Sequence, residues 1–244
     1  MRLVMGVQPV REAVRAHGAH VEKLFVEEGD HPQLEALARF ARDQGVREVS
    51  VVARAELDRR ARGVRHQGAM ALVPELRLAR LSDVAVAPAS LFLALDEIQD
   101  PQNFGAVIRS AVAFGASAVL WPEHSSAPLS AATFRASAGA IEHAVLCRVG
   151  SLPSALQHLT ELGTAVIGLD ANGELPLAQI DLTGPVAFVI GSEGKGLKKS
   201  VRRACASVAK LPMAGAIGSL NASVAAAITL YEACRQRAAS RNPS

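Results

Sequence analysis

Val186-Ala187-Phe188-Val189-Ile190, running straight into Gly191-Ser192-Glu193-Gly194-Lys195-Gly196, is the stretch on which the reading of this 244-residue chain turns. Five consecutive apolar residues without polar alternation make a strand buried on both faces, as in a parallel sheet covered by helices. Three glycines then surround a carboxylate, Glu193, in a loop with few side chains to crowd it. Outward from there, Leu91–Leu95, residues 118–120 and Ala165–Leu169 repeat the apolar run, and helical periodicity fits the intervals at 103–115, 151–162 and 221–238. This alternation predicts an α/β domain with a mostly parallel sheet. Ligands of such sheets belong at the carboxyl ends of the strands.

The first third is patterned on a smaller scale. A helical pattern covers 7–16, a strand-like run covers 20–26, and Pro32 opens a helix with Leu34, Leu37, Ala38 and Ala41 on one face before Gly45 ends it. A strand at 48–52, a short basic helix from Arg54 and a strand at Ala69–Val73 follow. The expected organisation is a small α/β unit at 1–74, a linker at 75–88 between Pro74 and Pro88, and the larger domain at 89–244, with a frayed tail at 239–244.

Composition narrows the class. Half the residues are hydrophobic and 20% are charged, which excludes a chain disordered throughout. Three separated cysteines, Cys147, Cys205 and Cys234, form neither a disulfide framework nor a paired zinc motif, so no metal site and a cytoplasmic setting are expected. The amino-terminal residues lack an apolar run of signal-peptide length. Residues 211–231 are uncharged but hold Pro212, glycines, Ser219, Asn221 and Ser223, which reads as a buried loop followed by a helix and not as a membrane span.

Lys and Arg total 26 against 23 Asp and Glu, a net charge of only +3, yet the cations cluster. Arg54, Arg59, Arg60, Arg62 and Arg65 close the first unit, and Lys195, Lys198, Lys199, Arg202 and Arg203 crowd one stretch of the second. One cluster alone reads as a solvated face. Two, one per domain, suit a polyanionic partner. Aromatic residues are only 4% of the chain, so extensive base stacking is not signalled.

Three segments gather polar and small residues near the ends of the expected strands. In Asp100-Pro101-Gln102-Asn103-Phe104-Gly105-Ala106-Val107-Ile108-Arg109, Asn103 is placed to cap the helix and Arg109 lies almost two turns further along it. Residues 191–196 match neither the triphosphate loop nor the dinucleotide fingerprint. Residues 212–223, Pro-Met-Ala-Gly-Ala-Ile-Gly-Ser-Leu-Asn-Ala-Ser, expose mainly backbone, a lining suited to a flat cofactor with polar edges. Each also has a plain structural reading as a capped helix, a turn or a packed loop. Zinc-protease and serine-hydrolase motifs are missing, and His66 and His143 read as structural histidines.

Together the segments resemble the SpoU (TrmH) family of RNA ribose 2′-O-methyltransferases. The resemblance rests on N-x-G-x-x-x-R at Asn103 to Arg109, G-x-E-G-x-G at 191–196, and P-M-x-G-x-x-x-S-L-N-x-S at 212–223. Gly6-Val7-Gln8-Pro9-Val10-Arg11-Glu12-Ala13 and His66-Gln67-Gly68 resemble that family's small RNA-binding module. Ala222 departs from the pattern, standing where the family more often carries a larger apolar residue.

The resemblance implies a trefoil-knotted SPOUT-type fold, S-adenosylmethionine as cofactor, and a homodimer. It implies cofactor contacts from Gly191, Leu211 and Leu220, and a catalytic group of Asn103, Arg109, Glu193, Ser219 and Asn221. In length and layout the chain resembles the members that methylate a guanosine of 23S ribosomal RNA. A transfer-RNA ribose methyltransferase, or an RNA-binding assembly protein without catalysis, are the alternatives. Arg54, Arg59, Arg60, Arg62 and Arg65 are the expected RNA contacts.

Overall fold

A computed structural model describes residues 1–124, 126–216 and 218–241. The chain forms two compact units, one of Met1–Arg77 with Ala138–His143 and one of Leu78–Ser137 with Ala144–Ser244.

In the first unit the order is β1 (Arg2–Met5), α1 (Val7–His17), β2 (Lys23–Glu27), α2 (Pro32–Asp43), β3 (Val49–Val52), α3 (Arg54–Ala61) and β4 (Ala69–Val73). The sheet runs β1-β4-β2-β3, with β2 and β3 parallel and the other pairs antiparallel. Side chains alternate across it. Leu24 and Val26 face α1 and α2 through Val10, Val14, Leu34 and Leu37, while Phe25 and Met70 face Leu57 and Ala61 of α3. Strand β1 was not expected, because four residues are too few to show a period. The strand read at 20–26 starts later, at Lys23, because His20 closes a 3₁₀ turn over Gly18–His20.

His66-Gln67-Gly68 ties this unit together. The amide of Gly68 donates to His66 Nδ1 (3.0 Å), so that nitrogen carries no proton and Nε2–H donates to Asp58 (3.0 Å). Gln67 Oε1 accepts from the amide of Val7 at the start of α1 (3.1 Å). Residues 138–143 join the unit by charge. Glu142, almost fully buried, pairs with Arg2 and with His17 (2.9 Å), and His143 meets Glu12 (3.0 Å). Both His66 and His143 thus serve structural contacts.

The second unit follows as β5 (Leu91–Leu95), α4 (Pro101–Ala113), β6 (Ala118–Pro122), α5 (Ala131–Ala136), β7 (Leu146–Val149), α6 (Leu152–Glu161), β8 (Ala165–Leu169), β9 (Leu175–Pro176), β10 (Val186–Ile190), α7 (Lys199–Arg203), β11 (Ser207–Lys210) and α8 (Ala222–Arg241). Its sheet is β7-β6-β5-β10-β8-β11-β9, and all six pairings are parallel. Every residue of β5 and β10 is buried, as their unbroken apolar composition demands. Residues 75–88 carry one 3₁₀ turn, and from Ala79 on their apolar side chains pack against this unit's core.

Chain order and spatial order differ in one consequential way. Strand β10 lies between β5 and β8, and β11 lies between β8 and β9, so β5, β10, β8 and β11 are neighbours. The loops leaving their carboxyl ends are 96–100, 191–198, 170–174 and 211–221. Motifs separated by about half the chain in sequence therefore emerge side by side.

The structure corrects three expectations. Asp100, not Asn103, caps α4: its carboxylate accepts from the amide of Gln102 (2.9 Å), because Pro101 already occupies the first helical position. The described residues of the loop at 212–221 are exposed and not buried, in keeping with its glycines and polar residues. Helix α8 continues through Arg241, so 239–241 do not fray, and 242–244 lie outside the described residues. Arg237 pins this helix by donating to the carbonyls of Ala89, Ser90, Leu182 and Gly184. No helix among the described residues is long and apolar enough to cross a membrane.

Candidate functional site

Glycine geometry builds the site. In the loop after β10, Ser192 and Gly196 bond to each other through their backbones (3.2 and 3.0 Å), and Gly194 and Gly196 take φ of 80° and 65°. That left-handed region favours glycine. Gly191 is needed for another reason: a Cβ there would stand 2.4 Å from the carbonyl carbon of Gly196. The turn therefore closes only with hydrogen at Gly191, and closure carries Glu193 to its tip.

Glu193 Oε1 collects three N–H donors. Asn103 Nδ2 and Asn221 Nδ2 each approach to 2.8 Å, and the amide of Ala222 at the start of α8 to 3.4 Å. Asn221 also donates to Asn103 Oδ1 (3.0 Å). Its orientation is fixed from the other side, because Asn221 Oδ1 accepts from the Ser223 amide (2.9 Å) and hydroxyl (2.6 Å), capping α8. Since Asp100 caps α4, the Asn103 side chain is free to join this ring. Gly105, two residues on, lets α5 press against α4: a Cβ there would lie 2.4 Å from Thr133 O.

A cleft of about 540 Å³, within the range of small-molecule sites, opens beside the triad. Gly191, Leu211 and Leu220, the expected cofactor contacts, line it, as do Glu193, Ser219 and Asn221. Leu169, Ile190 and Ala225 complete an apolar wall, and Asp170, Asn172 and Lys195 add polar edges. Sequence reading missed Asp170 and Asn172, although Asp170 follows β8 as directly as Gly191 follows β10. Asp96 and Glu97, also missed, hold the glycine loop from behind. Asp96 accepts from the amide of Lys198 (2.7 Å) and Glu97 pairs with its ammonium (2.7 Å). Burial pushes the Asp96 carboxyl above its usual range, with the Lys198 amide opposing. Burial also raises the Cys205 thiol to about 11, which keeps it protonated and unreactive.

Arg109 is not part of this ring. It is exposed on α4 and makes no hydrogen bond or ion pair among the described residues. The first unit's arginines divide similarly. Arg54 pairs with Glu27 (3.2 Å), and Arg60 pairs with Glu56 (2.7 Å) and covers the Phe25 ring at 4.4 Å. Arg59, Arg62 and Arg65 are exposed and make no hydrogen bond or ion pair among the described residues. No group of His, Cys, Asp and Glu among those residues could hold a metal ion.

Comparison with known proteins places both units. Residues 90–231 match the SpoU rRNA methylase family, and residues 3–79 match the RNA 2′-O ribose methyltransferase substrate-binding family. A Mycolicibacterium vanbaalenii protein described as an uncharacterized tRNA/rRNA methyltransferase is 41% identical over 96% of this chain and 76% of its own length. Among solved structures, the SpoU methyltransferase AviRb of Streptomyces viridochromogenes superposes with a TM-score of 0.79 at 30% identity, covering 98% of this chain and 90% of that one. Its complex with the cofactor AdoMet gives 0.77 at 29% identity, over 97% and 90% of the two chains.

Proposed function

The chain belongs to the SpoU methylase family of RNA 2′-O-ribose methyltransferases, whose cofactor is S-adenosylmethionine and whose fold is the knotted parallel α/β fold; from that membership we propose that it methylates the ribose 2′-OH of a guanosine in 23S ribosomal RNA. The carrying observation is the Asn103–Glu193–Asn221 ring beside a cleft built from the loops that follow the three adjacent strands β10, β8 and β11. The cleft suits the cofactor. Its apolar wall of Leu169, Ile190 and Ala225 fits a planar base, and Gly191, Gly194, Gly196 and Gly218 leave main-chain groups uncovered to meet a ligand's polar edges.

Bound there, S-adenosylmethionine supplies a methyl group already activated on a sulfonium, so the protein's work is alignment of the ribose oxygen and removal of its proton. With Oε1 of Glu193 saturated by N–H donors, Oε2 remains to accept from substrate or from a guanidinium. Arg109 holds an RNA phosphate and polarises the 2′-OH. A guanidinium stays protonated near neutral pH, so the proton leaves toward phosphate or water. Ser219 lines the same cleft as a further donor to substrate.

A second copy of the chain brings Arg109 to this cleft in the proposed arrangement. Val224, Ile228 and Tyr231, 45%, 41% and 55% exposed, form an apolar stripe on α8, which packs against α4. The assignment of 1–74 to RNA grip, 75–88 to connection and 89–244 to methyl transfer belongs to the same proposal, as does a cytoplasmic setting, where the RNA is found. Arg54, Arg59, Arg60, Arg62 and Arg65 supply the grip, with the three unpaired ones dominant. A ribose-methylation map of 23S RNA and transfer RNA from a strain lacking the gene tests the substrate. Loss of one 2′-O-methylguanosine from 23S RNA is expected, and loss confined to transfer RNA would reassign it.

A further inference from the structure

Among the described residues lining the cleft, three are ionisable: Asp170, Glu193 and Lys195. Glu193 is committed to the asparagine ring, which leaves Asp170 as the cleft's other carboxylate. Its backbone is fixed by hydrogen bonds to and from neighbouring strands and turns, the amide donating to Ala209 O (3.0 Å) and the carbonyl accepting from Gly173 N (3.0 Å). Its side chain is fixed as firmly. Oδ1 accepts from the amide of Asn172 (2.9 Å), and Oδ2 accepts from Arg202 on α7 (3.1 Å).

Each carboxylate oxygen has two acceptor directions, so both oxygens keep one to spare. The carboxylate is only 19% exposed, and what it faces is the base of the glycine loop: a Cβ on Gly196 would lie 3.3 Å from Oδ2. Asp170 therefore stands where the loops after β8 and β10 converge, on the wall of the cleft that Glu193 also lines. Two adjacent, pre-oriented acceptors on the wall of this cleft match two adjacent hydroxyl donors.

We infer that Asp170 receives the cis-diol of the cofactor's ribose, with Arg202 holding the carboxylate in position and thereby selecting nucleosides that carry both hydroxyls. Acidic residues at strand ends meet ribose hydroxyls in unrelated nucleotide-binding sheets for the same chemical reason. The inference rests on the cofactor occupying this cleft, and it adds a residue that reads the ligand by side chain where its neighbours read it by backbone.

Calorimetry of the full-length protein with S-adenosylhomocysteine and its 2′,3′-dideoxy counterpart tests it. Hydrogen bonds to a charged group predict that wild-type protein binds the dideoxy ligand about tenfold or more weaker. Asp170→Asn should lose a similar factor toward S-adenosylhomocysteine and almost nothing further toward the dideoxy ligand, because both changes remove the same interaction. Asp170→Ser, which keeps an acceptor for the Asn172 amide, serves if the first variant does not fold. Equal wild-type affinity for the two ligands, or losses that simply multiply, would overturn the inference while leaving the cofactor site standing. Absence of any binding of S-adenosylhomocysteine to wild-type protein would overturn the cofactor site and this inference together.

Discussion

Asn103 and Arg109 lie six positions apart on one helix and have opposite surroundings. Asn103, in the first turn of α4, is locked into a ring with Glu193 and Asn221. Arg109, on a face turned roughly 120° away, meets water. The site is divided accordingly. The chain pre-orients its acceptor and amide groups by pairing them with one another, since a ring of hydrogen bonds anchored to a helix cap holds its geometry before any ligand arrives. Arg109, proposed to meet the RNA, is left unpaired among the described residues; an internal carboxylate partner would neutralise the charge that a polyanion requires.

Breaking the exposed side of that comparison should have the largest effect. Arg109→Ala is expected to lower methyl transfer by about 10³-fold, the upper range for removing one transition-state donor, with cofactor affinity by calorimetry kept within a few-fold. Mixing these chains with chains defective only in cofactor binding should restore part of the activity if the arginine serves a second copy. A monomer that is fully active by light scattering and assay would end the two-copy arrangement.

Breaking the internal side should read differently. Asn221→Ala removes two donors around Glu193 and Asn103 together with the cap of α8, and removing a cap alone costs about 1 kcal/mol. Transfer should fall by about 10²-fold, and, unlike Arg109→Ala, cofactor binding should weaken as well because Leu220 and Ala222 line the cleft. Unchanged cofactor binding would show that the ring and the cleft are independent.

The smallest effect sharpens the contrast between paired and unpaired cations. Replacing Arg59, Arg62 and Arg65 by Ala should weaken RNA binding and flatten the dependence of log affinity on log salt by roughly 0.7–0.9 for each phosphate no longer neutralised. Replacing Arg54 and Arg60, which already face Glu27 and Glu56, should change the slope less. Affinities measured at several salt concentrations decide between the two sets, and equal slopes would return the cluster to a solvated surface.

Much of this is legible in the sequence, for definite reasons. The buried strands at Leu91–Leu95 and Val186–Ile190 show because a two-faced core leaves no polar residue in the run. Strands such as Ser207–Lys210, short and half polar, carry no such signal, yet β11 is the one that delivers 211–221 to the cleft. The glycine motif is visible as letters, while the reason for Gly191, its close approach to Gly196, exists only once the turn is closed. Asn103 reads as a cap because Asp100 and Asn103 are both good capping residues, and only the position of Pro101 decides between them. Asp170 escapes notice because its importance comes from strand order, which no local pattern encodes.

Transfer of a methyl group to a ribose oxygen leaves a product that can be identified chemically. Purified protein incubated with 23S RNA and S-adenosylmethionine labelled in the methyl group, followed by digestion to nucleosides and chromatography, tests it directly. The label is expected in 2′-O-methylguanosine, and at about 10³-fold lower rate when Arg109→Ala protein is used. Label in a base-methylated nucleoside, or no incorporation into RNA by wild-type protein that binds the cofactor, would contradict it.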